Sequence, residues 1–383
     1  MVKQVAILMN LNRLYDRQII RGIAKYVQTH TRWQVYVEED PAHKLPLLSA
    51  WKGDGVIIDF DDFRLFRACK HIQLPIVGVG RVAEPYSLKA GVATVRADDD
   101  LIGQWAAEHL VELGLKHYAY CGIPRRGPEP WVQARHLAFE RRLNQLGFEC
   151  AKFGGRQYAA RNWSKMLSEL SRWLKKLPKP IGIMACNDSR ARHVSSASLA
   201  CGYKIPDDVA IVGVDNDELM CELALPPLSS IALSTERMGF EAARLLDQIL
   251  KRRIPSPVEV IVPPLQLIPR RSTDNTSLAD PLVSRATAFI RERASKRIGV
   301  EQVARHVNVS RSTLDARFKS LLKKTAHEEL QTVRLRMAKH LLLTTDLPIA
   351  QIAARSGFSS EAYMNHVFRR ELGKTPGKFR RHD

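Results

Sequence analysis

The chain has 383 residues, 45% of them hydrophobic, and a formal net charge of +19. That is room for two or three domains, and a balance that favours an anionic partner. No run of about 18 apolar residues occurs, so no membrane span is expected, and six scattered cysteines without a C-x-x-C pair (Cys69, Cys121, Cys150, Cys186, Cys201, Cys221) argue against zinc or a disulfide framework and for a reducing cytoplasm.

The first run, Val5 to Met9, reads as a strand at once, with no polar gap and no small-residue cleavage site, so no signal peptide is expected. A helix from Asp16 to Thr29 follows, then strand-like runs at Trp33 to Val37, Gly55 to Ile58 and Pro75 to Val79. A helix from Leu101 to Leu113 leads to runs at Tyr118 to Cys121, Ile181 to Ala185 and Val209 to Val214, with helices at Trp131 to Leu146 and Asn162 to Leu177 between them. Continuous apolar runs alternating with amphipathic helices predict βαβ units, and so many of them predict an α/β fold of two lobes with doubly wound parallel sheets.

In such sheets ligands bind beyond the carboxyl ends of the strands. Polar residues directly after the runs are therefore candidates: Asn10, Asp16, Asp59, Asp61, Arg81, Asn187, Asp188, Asp215 and Asn216. They are mostly carboxylates and amides, suited to sugar hydroxyls, and Phe60 and Trp131 offer flat apolar faces for a sugar ring. Each alone reads equally well as a helix cap or turn residue; their convergence on strand ends is the signal.

Val95-Arg96-Ala97-Asp98, Ala185-Cys186-Asn187-Asp188, Gly213-Val214-Asp215-Asn216 and the closing Pro269-Arg270-Arg271-Ser272-Thr273 resemble the core of LacI/GalR regulators and periplasmic sugar-binding proteins. The resemblance covers residues 1–273. It implies sugar contacts at Arg135, Asn187 and Asp215, and Asp98 matches another contact position. The DNA-binding head that LacI/GalR regulators carry at the N-terminus is missing.

Residues 274–281, polar and closed by Pro281, read as a linker. Beyond it, residues 282–383 hold one short pattern twice. Val300 to Ser310 and Pro348 to Phe358 each have apolar residues three and four apart, then a turn at Asn308 or Gly357, then serine to cap a second helix. Helix, tight turn and capped helix is the helix-turn-helix plan, whose second helix enters the major groove. From residue 281 onward there are 21 Lys and Arg against 9 Asp and Glu, which is +12 of the total +19. That is the footprint of a phosphate-binding surface.

Gly357-Phe358-Ser359-Ser360, Phe368-Arg369-Arg370, Gly373-Lys374-Thr375-Pro376 and Phe379-Arg380 resemble the AraC-type transcription regulator signature. The resemblance implies two helix-turn-helix units joined by one long helix, here Ala326 to Leu343, and activation by contacting RNA polymerase. Ala316, His366 and Lys323 depart from the family pattern. On the two second helices the expected DNA-facing residues are Arg311, Ser312, Thr313 and Asp315, then Ser360, Glu361, Asn365 and His366. Asp315 and Glu361 are placed either to accept from a cytosine amino group or to favour the helix N-terminus.

The domain order, with Tyr15-Asp16-Arg17-Gln18, the run Gly53 to Asp62, Pro75 to Gly80 and Arg190-Ala191-Arg192-His193, resembles the family of xylose-operon regulators over essentially the full chain. It implies D-xylose as effector and a cytoplasmic homodimer that grips operator DNA and activates genes of xylose uptake and catabolism. A regulator answering another pentose or hexose, or a constitutive DNA binder, is the alternative. Catalysis is not expected: Gly78-x-Gly80 lacks the third glycine of a dinucleotide site, and no Walker lysine loop, H-E-x-x-H or G-x-S-x-G occurs. Neither a metal nor a cofactor is called for; Asp59-Asp61-Asp62 and Asp98-Asp99-Asp100 read as sugar contacts or loop ends.

Overall fold

A computed structural model describes residues 2–38, 51–68, 72–82, 92–123, 129–155, 162–252, 258–274, 280–322, 324–345 and 347–381. Cys69, Lys323 and the linker residues 275–279 lie outside them. Contacts divide the chain between Thr273 and Asp274 into two units.

The first unit contains two six-stranded sheets. One is built from β1 (Lys3–Leu8), β2 (Trp33–Glu38), β3 (Gly55–Asp59), β4 (Ile76–Val79), β5 (Val92–Ala97) and β11 (Glu259–Val262), in the order β11-β5-β4-β3-β1-β2. All its pairings are parallel, for example Ile7 beside Ile57 and Ile57 beside Val77. β3 and β4 are buried at every position, which is why they read as unbroken apolar runs. α1 (Leu14–His30) and α8 (Thr235–Leu250) pack together over this sheet. Their crossing needs glycine on both sides: a Cβ at Gly22 would sit 1.8 Å from the Glu236 carbonyl oxygen, and one at Gly239 would sit 1.9 Å from that of Ile19. The short α2 (Phe63–Ala68) follows β3.

The second sheet has β6 (His117–Cys121), β7 (Cys150–Lys152), β8 (Ile181–Ala185), β9 (Val209–Asp215), β10 (Ser229–Ala232) and β12 (Gln266–Ile268), in the order β12-β10-β9-β8-β6-β7, parallel except for β12. One face packs on α3 (Asp99–Glu112) and α4 (Pro130–Gln145), the other on α5 (Trp163–Lys176), α6 (Asp188–Ala200) and α7 (Glu218–Glu222). Alternate residues of one strand divide between two cores accordingly: Tyr118 and Tyr120 join one cluster, Ala119 and Cys121 the other. The chain passes between the sheets after β5, after β10 and after β11. The α/β class with two doubly wound sheets is as expected. β5, β7 and β10 to β12 were not among the predicted strands.

The second unit is helical. It runs α9 (Pro281–Arg293), α10 (Val300–His306), α11 (Arg311–Leu322), α12 (Ala326–Thr344), α13 (Ile349–Arg355), α14 (Glu361–Leu372) and α15 (Pro376–Arg381). The long α12 serves two cores. Leu330 and Val333 pack with α9 to α11, while Leu335, Ala338 and Leu342 pack with α13 and α14. Midway, the buried Arg334 donates to the carbonyls of Ala294 (3.1 Å) and Ile298 (2.6 Å). Gly357, at φ 80°, lies so close that a Cβ would meet the Ala294 oxygen at 2.0 Å. No other residue fits that position without moving the backbone of the first half.

Candidate functional site

The carboxyl ends of both sheets converge on a polar site within the first unit. From the first sheet come Arg13, Tyr15 and Asp16 after β1, Asp59 and Asp61 at the end of β3, and Arg81 after β4. Asp16 is fully buried, and neither of its carboxylate oxygens has a hydrogen-bond partner. Its nearest cation is the Arg13 guanidinium, 3.9 Å away, which lies 3.2 Å from Asp59. Burial pushes the Asp16 pKa up to about 8, with Asp59 adding to the rise and Arg13 opposing it. Asp59 is raised to about 6 by burial, against the pull of Arg13. Asp61 accepts from the Arg81 backbone N–H at 3.0 Å and from the Tyr15 hydroxyl at 3.5 Å, yet burial and then Asp59 raise it to about 8. This side is crowded with carboxyls that hold protons more firmly than free ones do.

The second sheet contributes the opposite arrangement. Arg135, from α4 and 5% exposed, donates from Nε to Asp99 (3.1 Å) and from Nη1 to the Cys186 carbonyl (2.6 Å), and it lies 3.8 Å from Asp215. The Trp131 ring stacks beneath it, 4.8 Å from the guanidinium carbon. Burial works against the Arg135 charge, but Asp99 and Asp215 outweigh it and hold its pKa above the ordinary arginine value. Asp215 is raised to about 6 by burial, with Arg135 opposing. Its φ of 103° is a strained backbone for a non-glycine residue and aims the side chain from the end of β9. Asp99 also faces Arg81 at 3.5 Å, so the ion pairs run Arg81, Asp99, Arg135, Asp215 from one sheet to the other. Glu129, ahead of α4, has an unpartnered buried oxygen and is raised by burial, with Arg13 opposing.

The structure brings Asp16, Asp61, Trp131, Arg135 and Asp215 into this site. Asn187 and Asp98 stand at its margin as helix caps: the Asn187 side chain accepts from the Arg190 N–H (2.9 Å) and that of Asp98 from the Leu101 N–H (3.0 Å). Asp188 is buried and bonded to the Ser230 hydroxyl (2.6 Å) and the Asp217 N–H (2.8 Å). Phe60 presents no open face. It is 3% exposed, edge-on to Phe66, and packed over Gly78, where a Cβ would be 2.0 Å from its ring. Arg13, Tyr15 and Glu129 are not among the residues the sequence singles out, and Asp99 is so only as one of a run that reads as sugar contacts or loop ends. For Asp99 the signal was present in the run Asp98-Asp99-Asp100, but only helix phase tells which carboxylate faces inward. The charged side chains on the site are six acids (Asp16, Asp59, Asp61, Asp99, Glu129, Asp215) and three arginines (Arg13, Arg81, Arg135). Such a site disfavours an anion and supplies acceptors for a ligand rich in hydroxyl donors.

In the second unit α10–α11 and α13–α14 form two helix-turn-helix pairs. Asn308 (φ 59°) and Gly357 (φ 80°) make the turns, closed by Val309 N–H to the Ala304 carbonyl (3.1 Å) and Phe358 N–H to the Ala353 carbonyl (3.0 Å). Ser310 accepts from the Thr313 N–H and Ser360 from the Tyr363 N–H, each at 3.1 Å. The second turn is one residue longer, so Arg311 corresponds to Glu361 and Asp315 to Asn365. On α11 the expected DNA-facing side chains are engaged within the unit. Arg311 pairs with Glu301 at 2.7 Å, Ser312 and Thr313 bond to the Ser310 hydroxyl, and Asp315 accepts from the Ala326 N–H (3.1 Å) in the first turn of α12. On α14, Glu361 and His366 are exposed and Asn365 half-buried, and no hydrogen bond or ion pair engages their side chains among the described residues.

Comparison with known proteins assigns the chain piece by piece. Residues 4–98 match the XylR N-terminal domain family, residues 107–273 the periplasmic binding protein-like domain, and residues 303–382 a helix-turn-helix domain. The xylose operon regulatory protein of Escherichia coli K12 is 35% identical over 381 residues, covering 98% of this chain and 96% of its own. That of Haemophilus influenzae is 34% identical over 378 residues, covering 98% of each. A solved structure of the xylose-binding transcription activator XylR covers 100% of this chain and 99% of its own at 33% identity, with a TM-score of 0.65. Among the described residues no helix is long and apolar enough to cross a membrane, and no cluster of side chains is set to hold a metal.

Proposed function

We propose, for a chain that belongs to the family of xylose operon regulatory proteins, that D-xylose is the sugar it answers to and that the sugar binds on the six-acid, three-arginine site of the first unit. Membership makes the protein a sugar-responsive, DNA-binding transcription regulator; the choice of sugar, the residues and the coupling are our reading. The observation that carries it is Asp16, buried with both carboxylate oxygens unpartnered. A buried acceptor without a donor is costly, and a ring carrying several hydroxyls supplies donors without charge. Asp16 and Asp61 accept from sugar hydroxyls on the first-sheet side, and Glu129, ahead of α4, accepts from another. Arg135 and Asp215, already fixed by Asp99 and Cys186, set the ring's orientation from the second-sheet side, with the Trp131 ring beside them.

Bridging the two sheets favours their approach, and the change reaches DNA by altering how two copies of the chain pack. A cytoplasmic homodimer would present four helix-turn-helix pairs to two half-sites. RNA polymerase contact then activates genes of xylose uptake and catabolism. The test is binding of the purified chain to the promoter region of xylose genes from its own genome. Tighter or repositioned binding with D-xylose, lost in Arg135→Ala, is the expected result; binding indifferent to the sugar would overturn the coupling.

A further inference from the structure

On the opposite face of the second sheet lies a group of cations that the sugar site does not use. The sheet reverses its winding between β6 and β8, the position at which open α/β sheets hold ligands. Arg135 approaches from the face covered by α3 and α4. Arg190, in the first turn of α6, approaches from the other face, where Cys121 and Phe153 belong to the second core. Its guanidinium carbon lies 4.9 Å over the Phe153 ring, and its charge opposes the rise that burial gives the Cys121 thiol. Arg190 is 3% exposed, yet its Nε and Nη2 have no hydrogen-bond partner. Arg192 Nε and His193 Nδ1 are likewise buried and unpartnered. Trp163, 40% exposed, packs edge-on to His193 at 4.9 Å and under Arg192 at 6.0 Å.

The charge balance is one-sided. Among the described residues no carboxylate pairs with Arg190 or Arg192. His193 is pushed down to about 4 by burial and by both arginines, so it stands neutral beside two permanent cations. A guanidinium can only donate, and an uncompensated buried cation is unfavourable until an anion reaches it. We propose that Arg190, Arg192 and His193, with Trp163 as a wall, form a second effector site for a small metabolite bearing a phosphate or carboxylate group. It is separate from the sugar site in sign as well as in place: the sugar site is acid-rich, while here, among the described residues, no carboxylate pairs with either arginine.

Thermal unfolding of the full chain tests this with inorganic phosphate and, separately, citrate, each against sodium chloride at matched ionic strength. The expected result is a saturable rise in Tm with one or both anions and none with chloride, phosphate alone marking a phosphoryl site and citrate alone a carboxylate site. Arg192→Gln, at a half-buried position, and Arg190→Gln should each weaken half-saturation on the order of tenfold, as loss of a charge-assisted hydrogen bond does. No saturable rise with either anion in the unaltered chain would overturn the proposal, whatever the variants do. So would an unchanged half-saturation in a folded Arg192→Gln chain.

Discussion

The two sides of the proposed sugar site are built on opposite plans. On the second-sheet side the charges are matched and fixed: Arg135 holds Asp99, Asp215 and the Cys186 carbonyl within 3.8 Å. On the first-sheet side the buried carboxyls of Asp16 and Asp59 share the exposed Arg13, and Asp16 has no hydrogen bond at all. The difference assigns the labour. A matched, rigid side positions a ligand with little reorganisation, while an unmatched side gains most from donors the ligand brings. The sugar-free state is therefore stable on one side and unsatisfied on the other.

Removing the organiser of the matched side should have the largest effect. Arg135→Ala leaves Asp99 and Asp215 without their main cation, which costs about 3–5 kcal/mol when a buried pair is broken, and it should abolish any D-xylose response. Urea unfolding with and without sugar checks both. On the unmatched side the effects should separate. Asp16→Asn removes a carboxyl that is already largely protonated near neutrality, so stability should hold or rise. The amide cannot ionise to accept from a sugar hydroxyl as the carboxyl does on binding, so D-xylose affinity should fall tenfold to a hundredfold, the range for a hydrogen bond to a charged group, about 1.5–3 kcal/mol. Equal loss of stability and affinity in Asp16→Asn would erase the contrast between the sides.

pH gives a third handle. Asp59 and Asp215 are raised to about 6, Asp16 and Asp61 to about 8. A raised folded-state pKa means the folded chain binds more protons than the unfolded one between the ordinary carboxyl value, about 4, and these values. Their contribution to stability is therefore full below about pH 4 and is lost as pH rises through 6 to 8. A sugar that donates to ionised carboxylates prefers the deprotonated site, so D-xylose affinity should rise over that window and binding should release protons. Calorimetry in two buffers of different ionisation enthalpy reads the release directly; proton uptake would reverse the assignment of donor and acceptor.

The helix-turn-helix pairs repeat the same contrast at smaller cost. Asp315 accepts from the Ala326 N–H in the first turn of α12, so Asp315→Ala should lose about 1 kcal/mol of stability and weaken binding to all DNA sequences alike. Glu361→Ala and His366→Ala remove side chains with no partner in the unit, so stability should stay within about 0.5 kcal/mol while preference among operator sequences changes. Melting curves and competition binding with randomised sites separate the two outcomes.

What the sequence disclosed follows from the same physics. Strands buried on both faces, such as β3 and β8, announce themselves as apolar runs. β10 does not, because Ser229 and Ser230 are fully buried there and satisfied by Arg270, Thr273 and Asp188, partners far along the chain. The helix-turn-helix turns were legible because Asn308 and Gly357 are local demands of the backbone. The roles of Asp315 and Asp99 were not, since one accepts from the first turn of the following helix and the other meets Arg135 from a neighbouring helix. Phe60 follows the same logic: its identity suits a sugar platform, but the absence of a side chain at Gly78 draws its ring into the core.

The most direct measurement of the central claim is thermal unfolding of the purified chain against D-xylose, L-arabinose, D-ribose and D-glucose, at pH 7.5, for the unaltered protein and Asp16→Asn. A saturable rise in Tm with D-xylose, larger than with the other three sugars, and a response shifted to higher sugar concentration in the variant are expected. No rise with D-xylose, or a response unchanged in Asp16→Asn, would contradict it.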